Sequence, residues 1–306
     1  MVAVGGLTRL TESGLSIVQW KPVHGTIPPI NETEWNEEFN AYKATPEYIK
    51  KNLGMSLGEF KYIFWWEYVH RLIGRMLGIV FLLPFIYFSI KKSFFFKKGL
   101  TLISIFALGG LQGLVGWWMV KSGLVNNPAV SHFRLATHLS IALLILSLLF
   151  WQGLGFYSST RYANKKFNAA ANFIIFVIAV QIIFGAFIAG LDAGLTYNTW
   201  PLMDGKIIPA GIKPSLYNIE LIQFFHRWWA FFVIFVVICF TRMVKKENKN
   251  SILKKPLIIL HSLVGTQIII GVLTLIYVVP VPLASLHQIT AVLILANAVY
   301  IKRIVS

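Results

Sequence analysis

Long apolar runs, separated by short polar and basic segments, make up most of the chain. Each run is close to the roughly 20 residues that a helix needs to cross a bilayer. The pattern predicts seven complete spanning helices, at about 61–90, 99–120, 132–155, 169–190, 220–242, 256–279 and 283–303. Ser56 followed by Glu59 has the form of a capping box, which predicts the start of the first of these helices. The fold class predicted is therefore an all-α polytopic membrane protein.

The charged residues predict how the helices are oriented. The chain carries 28 Lys and Arg against 12 Asp and Glu, a net charge of +16. Much of the excess lies in the short segments 91–98, 156–168 and 242–255, which is typical of cytoplasmic loops. The partner predicted for this charge is membrane lipid and not nucleic acid. The intervening segments then face outward, and the acidic segment 31–52 is expected to form short surface helices.

The chain also repeats itself. Val4–Pro29 aligns without a gap on Phe184–Pro209. Further equivalent positions are His70-Arg71 and His226-Arg227, Gln112 to Gly116 and Gln267 to Gly271, and His138 and His287. This predicts two homologous halves, 1–155 and 156–306, each a four-helix bundle. The repeated glycines are interpreted as points of close helix contact.

The first helix of the first half is nearly absent from the sequence. In the second half an apolar run from Ala169 to Phe184 precedes the aligned region, whereas only Met1–Val4 precedes it in the first half. A helix over Met1–Leu7 would cover about 10 Å, which is short of a hydrocarbon core of about 30 Å. We therefore expect the natural protein to begin upstream, with roughly 15–25 further residues that are mostly apolar and follow a basic residue.

Four of the seven histidines occupy repeated positions, namely His70, His138, His226 and His287. Within each half, the two histidines lie near the starts of two helices separated by one intervening helix, so both are expected at similar depth toward the outer face. Ionisable residues at membrane depth are costly and are functional candidates. Two facing imidazoles suit axial ligation of haem iron, whereas zinc would need further ligands. One haem site per half is the resulting hypothesis. The other histidines, His24, His132 and His261, are interpreted as loop or packing residues.

Three arginines accompany these histidines. Arg134 lies one helical turn before His138, while Arg71 and Arg227 directly follow their histidines. A guanidinium group pairs well with a carboxylate such as a haem propionate. The alternative interpretation is that these side chains extend to the membrane surface.

Glu67 is the main difference between the two halves. It lies one turn before His70, and the equivalent residue before His226 is Gln223. A buried carboxylate can exchange protons with a bound substrate, which an amide cannot do. The first half is therefore predicted to carry the reaction and the second to hold a redox cofactor. The alternative is a structural ion pair between Glu67 and Arg71, which their spacing permits.

Several motifs together resemble the haem A synthase family, in its alphaproteobacterial and mitochondrial branch. They are Gly5-Gly-Leu-Thr-Arg-Leu-Thr-Glu-Ser-Gly-Leu-Ser16, Glu67-Tyr-Val-His-Arg71, Arg134-Leu-Ala-Thr-His138, Gly190-Leu-Asp-Ala-Gly194, Tyr197-Asn-Thr-Trp-Pro-Leu-Met203, Phe225-His-Arg227 and Leu286-His-Gln288. The likeness covers nearly the whole chain. The sequence departs from some members in having no cysteine pair in its first outer loop, because the single cysteine, Cys239, lies in an apolar run.

The resemblance implies an eight-helix fold of two pseudo-symmetric four-helix bundles. It implies haem b held by His226 and His287 in the second half, and substrate haem O near His70 and His138 in the first. Glu67 matches the family's catalytic carboxylate. The implied reaction oxidises the methyl group of haem O to a formyl group through successive hydroxylations, giving haem A for haem-copper oxidases.

The resemblance also implies a cellular setting. That setting is a bacterial inner membrane, with haem O synthase and cytochrome oxidase assembly proteins as partners and the oligomeric state open. Two other classes of protein remain as alternatives. A di-haem b-type cytochrome that only transfers electrons would use the four histidines but gives no reason for a carboxylate in one half. A transporter built from repeats is disfavoured, because the halves share one orientation and no broken helix is evident.

Overall fold

The computed structural model of the chain describes residues 1–20, 24–91, 95–125, 128–157, 162–247 and 252–306. Its helices are α1 (Val2–Leu10), α2 (Glu32–Lys43), α3 (Pro46–Lys50), α4 (Leu57–Ile90), α5 (Phe95–Gly123), α6 (His132–Tyr157), α7 (Lys165–Gly190), α8 (Ile219–Glu247), α9 (Lys254–Ile276) and α10 (Val281–Ile304). Within these described ranges, α4 to α10 are the seven helices long and apolar enough to span a membrane. The predicted all-α polytopic fold is therefore confirmed. Segments 92–94, 158–161 and 248–251 of the basic loops, and the side chain of His24, lie outside the described residues.

The helix boundaries follow local sequence signals. The capping box is present, because the Ser56 hydroxyl accepts a hydrogen bond from the Glu59 amide while the Glu59 carboxylate accepts one from the Ser56 amide at 2.8 Å. The expected short surface helices are also present, as α2 and α3. The predicted limits of the spanning helices agree with the structure to within five residues, and α9 stops at Ile276, three residues before its predicted end at 279. Val278 and Val279 both adopt φ +58°, a left-handed conformation that ends the helix and turns the chain into α10.

The first compact unit comprises Met1–Ala142. In it, α4 contacts α1, α5 and α2. Aromatic side chains of α2 cover the start of α4, with Phe39 stacked on Phe60 at 5.0 Å between ring centroids. Glu47 of α3 is buried below them and accepts a hydrogen bond from the Tyr42 hydroxyl at 3.1 Å. We call this arrangement of α2 and α3 against the start of α4 the α2–α3 cap.

The second compact unit comprises Leu143–Ser306. In it, α7 packs against α8 and α10, and α9 packs against α10. The indole nitrogen of Trp229 on α8 donates a hydrogen bond to the Val177 carbonyl of α7 at 2.9 Å. The boundary between the two compact units falls within α6. The assignment of a substrate site to residues 1–155 and a cofactor site to residues 156–306 stays a prediction.

Equivalent loops of the two units share a backbone feature. Glu12, just after α1, has φ +51°, and the aligned residue Asp192, just after α7, has φ +52°. Few residues other than glycine adopt this conformation. The same local turn therefore follows the first helix of each half, although the two residues differ.

Candidate functional site

His226 of α8 and His287 of α10 lie beside each other inside the second unit, in an edge-on arrangement. Their ring centroids are 6.4 Å apart and the ring planes are inclined by 69°. Two imidazoles that share one metal ion through bonds of about 2 Å have centroids roughly 6 Å apart. In the part of the chain that the structure describes, no cluster of three or more His, Cys, Asp or Glu side chains could hold a metal ion. The pair therefore suits two-point axial ligation better than a zinc site.

The ring of His287 is enclosed by α9. A Cβ atom added at Gly271 would lie 2.6 Å from His287 Cε1, and the Gln267 amide group contacts His287 Nε2 at 3.3 Å. His287 Nδ1 is buried and has no hydrogen-bond partner among the described residues. A buried polar atom without a partner is costly unless a ligand satisfies it. The surroundings of His287 thus fit an imidazole that binds a metal centre.

The ring of His226 is enclosed by α7. A Cβ atom at Gly185 would lie 3.3 Å from His226 Cε1. The Gln181 amide donates to the His226 carbonyl at 3.0 Å and contacts His226 Nδ1 at 3.3 Å. Neighbours of this kind orient a histidine before it binds a metal.

The first unit repeats these contacts around His70 and His138. A Cβ atom at Gly116 on α5 would lie 2.9 Å from His138 Cε1, and the Gln112 amide group contacts His138 Nε2 at 3.2 Å. His138 Nδ1, like that of His287, is buried without a partner among the described residues. A Cβ atom at Gly5 on α1 would lie 3.0 Å from His70 Nε2. All four histidines singled out by the repeat therefore pack against a glycine of another helix.

Glu67 is buried at the junction between α4 and the loop after α1. Its Oε2 accepts hydrogen bonds from the Ser16 hydroxyl at 2.7 Å and from the Ile17 amide at 2.8 Å. Its Oε1 pairs with Arg71 at 2.6 Å, and Arg71 also donates to the Ile17 carbonyl at 3.1 Å. The ion pair considered from the sequence is therefore present, and it fastens this loop to α4.

Gln223 holds the equivalent loop by hydrogen bonds of the opposite direction, in which the side chain donates to the loop. Its Nε2 donates to the carbonyls of Ala193 at 2.7 Å and Thr196 at 2.6 Å. Its Oε1 accepts from Arg227 at 2.8 Å. The first half thus uses a carboxylate that accepts from its loop, and the second uses an amide that donates to its loop.

The three arginines are occupied by protein partners. Arg227 donates to the carbonyls of Tyr197, Thr199 and Leu202. Arg134 donates to the Trp118 carbonyl at 2.6 Å and lies 4.2 Å above the Trp118 ring centroid. These contacts position loops and helix ends, and a role in binding propionates stays a prediction for Arg71, Arg134 and Arg227.

The remaining histidines differ from the repeated four. His261 Nδ1 contacts the Leu257 carbonyl of its own helix at 2.8 Å, and the His132 ring packs on Phe133. The contacts of Gln112, Gln267 and Gln181 with imidazoles were not predicted. All three glutamines stand four residues before a repeated glycine, and Gln112 and Gln267 occupy equivalent positions, which was the available signal.

Comparison with known proteins agrees with this arrangement. Residues 1–299 match the model of the family described as "Cytochrome oxidase assembly protein". A protein of Nitrosospira multiformis named "Heme A synthase" is 44% identical, over 99% of this chain and 88% of its own length. Proteins of the same name from Rhizobium meliloti and Mesorhizobium japonicum are 44% and 45% identical, over 98% and 97% of this chain and 84% of their own lengths. The chain therefore belongs to the cytochrome oxidase assembly protein family, and haem A synthases are its nearly full-length relatives.

Proposed function

We propose that the chain is a haem A synthase, a multi-pass membrane enzyme that oxidises the methyl group of haem O to a formyl group. The observation that carries this proposal is the combination of two equivalent histidine pairs with a carboxylate in only one half. His226 and His287 hold a resident haem b, and His70 and His138 bind the substrate haem O. The surroundings of His287, with an unpartnered Nδ1 and a glycine against the ring, suit such a ligand.

The bound haem b supplies one-electron redox chemistry, since bis-histidine haem centres commonly transfer electrons. In the substrate half, each hydroxylation replaces one C–H bond of the methyl carbon by a C–O–H group, and the two electrons given up pass to an oxidant that comes from outside the chain. The gem-diol that results from two such steps loses water and leaves the formyl group. The task of this chain's own residues is to orient the substrate ring and to move protons.

Glu67 is the proton-exchanging group of the substrate half. A carboxylate offers about four acceptor positions, and Ser16, Ile17 and Arg71 occupy three of them. One position on Oε1 is left for a proton from the substrate or from water. Gln223 has no ionisable group, which supports a cofactor-holding role for the second half.

The cellular setting is part of the proposal. The basic loops between the helices favour a bacterial inner membrane with both haem sites toward the outer face. Haem O synthase would supply the substrate, and oxidase assembly proteins would receive the product.

Single histidine variants of the full-length protein test the two-site proposal. His226→Ala and His287→Ala should remove the haem b absorbance from the purified protein while it still inserts. His70→Ala and His138→Ala should retain that absorbance and abolish haem A formation. His261→Ala is the matched control, because His261 contacts only its own helix in the hydrogen bond described. Loss of one and the same haem signal in all four variants would refute two separate sites.

Haem extraction distinguishes the enzyme from an electron-transfer cytochrome. The close similarity of the histidine surroundings in the two halves is the observation that favours the cytochrome. Haem O or haem A beside haem b in the purified protein supports the enzyme. Haem b alone, with Glu67→Gln spectrally and functionally silent, supports the cytochrome.

A further inference from the structure

One repeated motif has no role in the proposed reaction. It is Gln-x-x-x-Gly, which occurs at equivalent positions of the two halves as Gln112 and Gly116 on α5 and as Gln267 and Gly271 on α9, and once more as Gln181 and Gly185 on α7. Residues four apart lie on the same face of a helix, one turn from each other. In each half, this face meets the histidine of the following helix, His138 on α6 or His287 on α10.

The glycine of each motif leaves room for an imidazole ring. At Gly271, the three atoms nearest to an added Cβ all belong to the His287 ring, at 2.6, 3.2 and 3.5 Å. At Gly116, they all belong to the His138 ring, at 2.9, 3.5 and 3.7 Å. Ordinary contact between carbon atoms is about 3.5–4.0 Å, so even alanine would displace each ring by roughly 1 Å. Gly110, Gly113 and Gly265 on the same helices have nothing within 4 Å of an added Cβ, so the crowding is specific to the motif.

The glutamine of each motif holds the same ring by a hydrogen bond. The amide group of Gln267 lies within hydrogen-bond distance of His287 Nε2, and that of Gln112 within hydrogen-bond distance of His138 Nε2. The other nitrogen of each ring, Nδ1, is buried without a hydrogen-bond partner in the described part of the chain. The Cε1 edge of each ring thus lies against a glycine and one ring nitrogen contacts a glutamine, which together restrict rotation about the side-chain torsions.

We propose that Gln112/Gly116 and Gln267/Gly271 are imidazole seats, positioning residues that fix the ring planes of His138 and His287 for axial ligation of haem iron. The proposal rests on the proposed function, because it requires these histidines to be haem ligands. A glycine that only allowed two helices to approach would face backbone or aliphatic atoms of its neighbour. Both seats face imidazole atoms instead.

The second half offers the sharper test, because its haem is the proposed resident cofactor. Full-length Gly271→Ala, Gln267→Leu, His287→Ala and the control Gly265→Ala would be purified in detergent. Haem content per protein, the low-spin ferric EPR spectrum and the haem midpoint potential would be measured, with thermal unfolding as the measure of fold. The EPR spectrum is informative because its anisotropy depends on the relative orientation of the two axial imidazole planes.

Gln267→Leu should weaken haem retention roughly 10- to 100-fold, as is typical for the loss of a hydrogen bond to a metal-binding histidine. Gly271→Ala should lower haem retention at least as much and alter the EPR signal of the haem that remains. Gly265→Ala should match the unmodified protein in all readouts, since its added Cβ meets open space. If Gly271→Ala fails to fold, Gln267→Leu alone carries the test, because leucine adds no atom against the ring.

The possible results separate failure of the seats from failure of the proposed function. If His287→Ala loses haem but Gly271→Ala and Gln267→Leu keep unchanged haem content, EPR spectrum and potential, the seats are refuted and haem ligation stands. If His287→Ala itself keeps the haem signal, the proposed ligand set is wrong and the seats are refuted with it. An equal loss of haem in Gly265→Ala and Gly271→Ala would show a general effect of alanine on α9 and would also overturn the proposal.

Discussion

Replacing Glu67 by Gln removes one negative charge from the junction of the first half and keeps the size of the side chain. The oxygen that remains can accept from Ser16 and Ile17, but the new amide group then faces the Arg71 guanidinium, donor against donor. We expect haem O or a partly hydroxylated product to accumulate in place of haem A. Removal of a proton-transferring group commonly lowers a rate by about 10²–10⁴.

The structural cost of Glu67→Gln follows from its three contacts. Two hydrogen bonds to a carboxylate become bonds to a neutral amide, at about 1 kcal/mol each. Arg71 loses its counterion, which costs about 3–5 kcal/mol in a fully buried pair and about 2 kcal/mol here, since the Arg71 side chain is 17% exposed. A total of roughly 4 kcal/mol corresponds to about 1000-fold easier opening of the loop. The amide hydrogen of Ile17, which is donated directly to Glu67, should therefore exchange with solvent about 1000-fold faster.

Ser16→Ala is the matched control, because it removes one of the bonds to Glu67 and leaves the carboxylate in place. Ser16→Ala should raise the hydrogen-exchange rate of the Ile17 amide by roughly 10- to 100-fold, which corresponds to the loss of one hydrogen bond to a charged group. Haem A formation should remain close to the unmodified level. Equal loss of haem A in Ser16→Ala and Glu67→Gln would reduce Glu67 to a fastening role. Normal haem A output from Glu67→Gln would refute the catalytic assignment altogether.

Three further predictions concern local stability. Burial raises the pKa of Glu47 from 4.5 to about 7, so the native α2–α3 cap binds this proton more tightly than the unfolded chain does. The α2–α3 cap should therefore be most stable below pH 4.5 and should lose roughly 3 kcal/mol of stability as the pH rises through 7. Glu47→Gln should abolish this pH dependence, measured as hydrogen exchange of the cap between pH 5 and 8. Arg227→Lys gives up contacts with three carbonyls of loop 197–202, and we expect roughly 2–3 kcal/mol of local destabilisation, measured as faster proteolysis of that loop. Ser56→Ala should cost about 1 kcal/mol at the start of α4, seen as faster exchange in its first turn and unchanged exchange elsewhere.

The number and approximate limits of the spanning helices were predictable because bilayer thickness sets their length. The end of α9 was not, since Val278 and Val279 adopt a backbone conformation that β-branched residues rarely take. Hydrophobicity carries no signal for such a turn. The start of α4 was predictable, because a capping box involves only neighbouring residues.

The candidate site was predictable in its residues and less so in its contacts. The repeat identified the histidines and the Glu67–Gln223 difference without any structure. The bond from Ser16 to Glu67 joins residues 51 positions apart, and no local periodicity indicates it. The hydrogen bonds from Arg227 to loop carbonyls could not be predicted either, because a guanidinium group can donate to a carbonyl as well as to a propionate.

The glycine contacts bear on how the protein is assembled during synthesis. Each contact joins a histidine to the helix before its own. The exception is His70 of α4, which contacts α1, so that the short helices α2 and α3 lie between them in the sequence. The contacts are Gly5 of α1 with His70 of α4, Gly116 of α5 with His138 of α6, Gly185 of α7 with His226 of α8, and Gly271 of α9 with His287 of α10. Little chain must be closed for the α5–α6 contact, 22 positions apart, and for the α9–α10 contact, 16 positions apart, so these two contacts form early. These two helical hairpins can therefore each orient their own imidazole independently of the helix that carries the other ligand. The arrival of the cofactor would then need only the docking of preorganised hairpins, which reduces the entropy lost on binding.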